Sequence, residues 1–72
     1  MAAFVINKNP QLNGDHEVHN ASTGCMYMPC FEKQIPLGQH FNCHDAVAAA
    51  KAQWPNARIN GCYYCANACH TT

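Results

Sequence analysis

The stretch FNCHDAVAAAKAQWP, residues 41–55, carries the strongest secondary-structure signal in this sequence. Asn42 is a favourable N-cap residue, and Asp45 stands three positions later, where an acidic side chain completes a capping box. The Ala-rich segment that follows favours a helix, and Pro55 ends it. The pattern therefore predicts one main helix over Cys43–Gln53.

One face of this helix is apolar. Cys43, Val47, Ala50 and Trp54 follow one another at i, i+4, i+7 and i+11, so they lie on the same side. A cysteine on such a face behaves as a small hydrophobic residue. We therefore expect Cys43 to be a reduced, buried core thiol.

Short extended segments precede the helix. AFVIN (3–7) and HEVHN (16–20) read as strands, and the Asn13-Gly14 pair between them is a strong hairpin signal. A third extended segment surrounds Pro36, and this proline favours an edge position in the sheet. The later segment NARING (56–61) predicts a turn. The sequence thus predicts an α+β fold, with a small antiparallel sheet of two or three strands and one main helix.

The composition indicates a domain that needs a cross-link. The chain has 72 residues, so we expect residues 1–72 to form a single domain. Its apolar fraction of 49% owes much to Ala and to six Cys, and its formal net charge is zero. Domains of this size usually depend on disulfides, a metal or oligomerisation, because their cores are small.

The choice between these cross-links depends on the compartment. The first residues, MAAFVINKNPQ, lack the basic and apolar regions of a secretory signal, and no apolar run is long enough for a membrane span. We therefore expect a cytoplasmic protein, in which thiols stay reduced and clustered cysteines bind metal. A secreted module held together by disulfides is the alternative, since a mature chain with an added Met would look the same.

The cysteine spacing favours zinc. Cys62 and Cys65 are two residues apart, so one tight turn can present both sulfurs to a tetrahedral ion. The same spacing occurs in redox dithiols. His19 and Cys25 form a second pair upstream, and we predict one structural Zn²⁺ bound by these four residues.

Other arrangements of the cysteines stay open. Cys30, Cys69 or His70 could replace a ligand, and Cys69 lies four residues after Cys65, on the same side of a helical turn. The segment CANACH (65–70) is a widened form of the haem-attachment motif, and several thiols could bind an iron–sulfur cluster. Neither pattern has its usual spacing, so zinc is the preferred interpretation.

The order of these motifs resembles a known family. FVINKN, HEVHNASTGC, FNCHDAVAAAK and NGCYYC follow one another as in the Ada-type metal-binding domain, a small zinc domain of alkylation-repair proteins with stand-alone relatives. The resemblance spans roughly residues 4–65. It implies a strand, a first ligand pair, an Ala-rich helix and a final C-x-x-C, and it carries the zinc ligands onto His19, Cys25, Cys62 and Cys65.

Two differences from the family pattern bear on function. His19 and Cys25 are separated by five residues rather than three, and the connection from the helix to Cys62 is longer. In the repair protein the first ligand is a cysteine whose thiolate accepts a methyl group from a DNA phosphotriester. The resemblance puts His19 there, so the repair chemistry is not carried over through this position. An Ada-like DNA-binding or alkyl-acceptor domain, with Cys25 or Cys69 as the reactive ligand, stays an alternative.

The remaining residues favour a binding module over an enzyme or a nucleic-acid binder. Four Lys and Arg residues balance four acidic residues and are scattered, so no basic patch is expected. No catalytic constellation is apparent, and four Cys and His ligands are typical of structural zinc. We expect a protein partner, because several residues common at interfaces flank the cysteines, namely Met26, Tyr27, Met28, Tyr63 and Tyr64.

Overall fold

The computed structural model describes residues 1–71 and confirms the α+β class. Four strands form one sheet: β1 (Ala2–Asn7), β2 (His16–Asn20), β3 (Gln34–His40) and β4 (Ile59–Gly61). The helix α1 spans Cys43–Gln53, as predicted, and two short 3₁₀ turns cover Phe31–Lys33 and Asn67–Cys69. The sheet is mixed and has one strand more than expected.

The sheet is built around β1, in the order β3-β1-β2-β4. β1 pairs with β2 and β3 in antiparallel fashion. In the β1–β2 connection, Gly14 has a φ of 91° and the Asn13 side chain accepts the N–H of Asp15 at 2.9 Å. Pro36 lies in β3 at the sheet edge, where its missing N–H removes no internal ladder bond.

The prediction of a turn over residues 56–61 is wrong for residues 59–61, which form the strand β4. Ile59–Gly61 runs parallel to β2, because the His16 N–H donates to the Arg58 carbonyl at 2.8 Å and the Cys62 N–H donates to the Val18 carbonyl at 2.9 Å. Three residues are too few for an alternation pattern to appear in the sequence. This pairing carries the chain into Cys62 alongside β2.

The helix begins and packs as its sequence indicates. The Asn42 side chain accepts the N–H of Asp45 at 3.0 Å, which completes the N-cap. The core contains Cys43 and Ala50 from the predicted face, whereas Val47 and Trp54 from that face are only partly buried. Ala46, which was not predicted to lie on this face, is fully buried.

Gly61 brings the C-terminal segment close to β4. A Cβ atom at this position would lie 2.6 Å from Cys69 Cβ and 2.7 Å from the Ala66 carbonyl oxygen. Only glycine leaves room for so close an approach. The segment that follows Cys62 therefore folds back over the sheet end and towards α1.

Candidate metal centre

The four predicted ligands come from three parts of the fold. His19 lies in β2, Cys25 lies in the loop after it, and Cys62 and Cys65 follow β4. Their ligand atoms all lie within 4.8 Å of one another, so this cluster could hold a metal ion. His19 and Cys62 are almost fully buried, with exposures of 0% and 1%, while the other two sulfurs are half-buried.

The spacing of the donor atoms fits one tetrahedral ion. Zinc–sulfur bonds of about 2.3 Å in a tetrahedron separate two sulfurs by about 3.8 Å. The sulfurs of Cys25 and Cys62 are 3.8 Å apart. His19 Nδ1 lies 3.4 Å from Cys65 Sγ and 3.9 Å from Cys25 Sγ. The Nδ1 atom therefore points into the sulfur cluster as a fourth donor would.

The other ring nitrogen of His19 faces a carboxylate. His19 Nε2 is buried without a hydrogen-bond partner, and the nearest acidic atom is Glu17 Oε1, at 3.6 Å. Burial lowers the pKa of His19, which favours the neutral imidazole that metals bind. A proton on Nε2, the ring nitrogen that faces Glu17, would leave the lone pair of Nδ1 free for the cluster.

Glu17 is itself an unusual carboxylate. Its side chain is 14% exposed, and burial raises its pKa. The positive charge of His70 and a hydrogen bond from Gln11 both act in the opposite direction. Glu17 was not among the site residues predicted from the sequence, although residues i and i+2 of a strand share one face and this spacing places Glu17 beside His19.

Backbone amides point at two of the sulfurs. The N–H of Asn20 donates to Cys65 Sγ at 3.3 Å, and the N–H of Tyr64 donates to Cys62 Sγ at 3.4 Å. Such bonds favour a thiolate. Burial outweighs them at Cys65, where it raises the thiol pKa to about 12. A metal ion at this cluster must therefore displace a proton from Cys65.

Two cysteines do not behave as expected. We predicted that every thiol outside the cluster would be reduced, but Cys43 and Cys69 form a disulfide. The close packing at Gly61 places Cys69 beside the first turn of α1, at a Cα–Cα distance of 6.2 Å, which is within disulfide reach. His44 lies near the two sulfurs, but sulfurs in a disulfide are not thiolate ligands.

The remaining alternative ligands lie apart from the cluster. Cys30 is an exposed free thiol in the loop before β3. His70 directs Nδ1 at the Gly61 carbonyl oxygen, 3.0 Å away, and can donate a hydrogen bond there. Of the candidates named from the sequence, the described part of the chain brings His19, Cys25, Cys62 and Cys65 together and excludes these two from the same group.

An aromatic pair lies directly outside the cluster. Tyr27 and Tyr64 stack with their ring centroids 4.5 Å apart, although they are far apart in sequence. Tyr27 follows Cys25 and Tyr64 precedes Cys65, so the two ligand loops hold the rings together. Both rings stay more than half exposed, at 54% and 60%. Both tyrosines are candidate interface residues from the sequence, but their contact was not predicted.

No protein-family model, curated protein or solved structure matches this chain. The resemblance to Ada-type domains therefore stays a hypothesis that rests on the motifs alone. Over residues 1–71, none of the helices is long and apolar enough to cross a membrane.

Proposed function

We propose that this chain is a zinc-binding domain with a structural Cys₃His centre, and that it acts as a protein-interaction module. The observation that carries the proposal is the convergence of four buried or half-buried donor atoms within 4.8 Å. Three sulfurs and one imidazole nitrogen form a donor set that is typical of tetrahedral zinc sites.

The number of protein ligands favours a structural role. A catalytic zinc usually has three protein ligands and an open position for water or substrate. Here a fourth donor is present, and His19 and Cys62 are buried. In a small domain, a closed centre of this kind supplies stability that the core lacks.

The tyrosine pair supports the choice of a protein partner. Tyrosine is enriched in protein interfaces because it offers a large, rigid surface with a polar end. Tyr27 and Tyr64 present such a surface immediately outside the centre. A nucleic-acid partner is less well supported, because the formal net charge of the chain is zero.

The disulfide bears on the cytoplasmic location proposed from the sequence. Structural disulfides persist in oxidising compartments, whereas cytosolic thiols are kept reduced. In the cytoplasm, Cys43 and Cys69 would therefore be a dithiol, while thiolates bound to zinc need no oxidant. The number of thiols that react with an alkylating agent in freshly lysed cells distinguishes the two cases.

Native mass spectrometry of purified protein tests the zinc centre. We expect one zinc per chain, lost on acidification, and loss of NMR chemical-shift dispersion after chelation, because metal binding and folding are coupled in such domains. A metal-free protein with an unchanged, well-dispersed spectrum would refute a structural zinc.

A further inference from the structure

We propose that the cleft beside the metal centre binds the guanidinium group of an arginine side chain on a partner protein. The cleft has a volume of about 260 Å³ and is lined by Gln11, Glu17, Tyr27, Cys62 and Tyr64. This inference rests on the proposed zinc centre, because two loops that carry zinc ligands form part of the cleft wall.

The walls of the cleft are electronegative. Glu17 carries a carboxylate, and Cys62 is a residue of the proposed centre. In a zinc-loaded Cys₃His centre, three thiolate charges outweigh the double charge of Zn²⁺, so the centre is an anion as well. The faces of Tyr27 and Tyr64 are negative because of the ring quadrupole. The Glu17 carboxylate, the zinc-loaded centre and the tyrosine faces therefore all attract a cation.

The chain offers no arginine or lysine of its own to this cleft. Among residues 1–71, the lining set contains neither residue type. Arg58 is engaged elsewhere, with its Nε 2.9 Å from Asp15 Oδ1. The basic atom that faces Glu17 most closely is His19 Nε2, 3.6 Å from Glu17 Oε1, and this ring is the proposed zinc ligand. Glu17 is thus a largely buried carboxylate without a Lys or Arg partner in this cleft, and the titratable basic groups near it are the imidazoles of His19 and His70.

The shape of the cleft selects guanidinium over ammonium. A guanidinium is planar, stacks on aromatic faces and donates to a carboxylate through a fork of N–H groups. Here a stacked tyrosine pair and the Glu17 carboxylate line the same cleft. The ammonium of lysine is a compact, strongly hydrated charge and uses only part of this surface. Gln11 adds an amide oxygen that can accept a further N–H.

NMR titration of zinc-loaded, ¹⁵N-labelled protein tests the proposal. N-acetylarginine amide should shift the amide signals of Glu17, Tyr27 and Tyr64 with a dissociation constant in the millimolar range, as expected for one isolated side chain. N-acetylcitrulline amide has nearly the same shape without the charge and should produce no shifts. Equal binding of the two compounds would overturn the proposal, as would equal or tighter binding of N-acetyllysine amide.

A second arm distinguishes a protein partner from a free metabolite. A capped peptide with one central arginine should bind at least as tightly as N-acetylarginine amide, because its backbone is neutral. Free arginine carries a carboxylate, which the anionic cleft repels, and should bind more weakly. Tighter binding of free arginine would overturn the assignment to a partner protein.

Variants locate the site. Tyr64→Leu keeps an apolar side chain but removes the ring, and should weaken N-acetylarginine amide about fivefold, the effect of one exposed cation–π contact. Phe31→Leu, at an aromatic residue that lies outside the cleft and is more exposed than Tyr64, should leave the affinity unchanged. Equal affinities of the two variants for N-acetylarginine amide would show that the tyrosine pair is not part of the binding site.

Zinc content is measured for every sample by native mass spectrometry, so the two proposals fail separately. A protein that takes up no zinc refutes the metal centre. A zinc-loaded, well-dispersed protein that does not respond to N-acetylarginine amide refutes the cation site alone.

Discussion

His19 directs Nδ1 into the sulfur cluster and holds Nε2 3.6 Å from the Glu17 carboxylate. In metal sites such a carboxylate fixes the tautomer and orientation of the ligand histidine. The partner here is local, since both residues belong to β2 and lie on one face of it. The strand thus places His19, a candidate ligand, 3.6 Å from a carboxylate that could orient it.

Glu17→Gln should weaken zinc binding by about 10- to 100-fold, the usual effect of losing such a carboxylate partner. The amide keeps the size of the side chain but removes its charge. Competition with a chromophoric chelator measures the affinity. Glu32→Gln, which changes an exposed acidic residue in a 3₁₀ turn, is the matched control. Identical zinc affinities for the two variants would show that Glu17 does not act on His19.

Cys65→Ser should abolish tight zinc binding and unfold the domain. The serine hydroxyl is a poor zinc ligand, and loss of one ligand removes metal-binding energy that contributes to folding. Cys30→Ser changes an exposed thiol outside the cluster and should behave as the wild type. Zinc stoichiometry and circular dichroism report both outcomes. A folded, zinc-loaded Cys65→Ser variant would mean that another residue completes the ligand set.

Local signals account for what the sequence predicted. Asn42 and Asp45 fix the start of α1 through a capping interaction within four residues, and the C-x-x-C spacing lets one tight turn present both Cys62 and Cys65. The short strand β4 has no local signal, and it exists because β2 offers it backbone partners. The stacking of Tyr27 on Tyr64 likewise depends on how the two loops meet.

The disulfide could not be predicted from sequence for a related reason. Cys43 and Cys69 are 26 residues apart, and their proximity depends on the C-terminal segment folding back over Gly61. The apolar helix face correctly indicated that Cys43 is buried. Burial alone does not distinguish a buried thiol from a buried disulfide.

Replacing both Cys43 and Cys69 by Ala should lower the free energy of unfolding by about 3.5 kcal/mol, the chain-entropy estimate for a loop of this separation. Urea denaturation of zinc-loaded protein measures the loss. Cys30→Ala should change the unfolding free energy by less than about 0.5 kcal/mol, as expected for an exposed side chain. An unchanged midpoint in the double variant would mean that the bridge does not stabilise the fold.

Zinc affinity should fall as the pH is lowered from about 8 to about 6, by at least about tenfold per pH unit. The pKa of Cys65 is raised to about 12, so its thiol is protonated throughout this range and zinc must displace the proton. Each displaced proton makes the affinity fall tenfold per unit. Chelator competition at each pH measures the slope, and a flat profile would contradict thiolate ligation.

The zinc-loaded domain should not accept a methyl group from a DNA phosphotriester. Methyl transfer needs a nucleophilic thiolate at the attacking position. The Ada-type resemblance puts His19 at that position, and its side chain has an exposure of 0%, so neither its chemistry nor its access suits the reaction. A His19→Cys variant should be equally unreactive, because the buried position would also keep its thiolate from the DNA.

Intact mass after incubation with methylated DNA measures the transfer. A gain of about one methylene in the wild type, abolished by Cys25→Ala, would instead identify the half-buried Cys25 as the reactive ligand and the domain as a methyl acceptor.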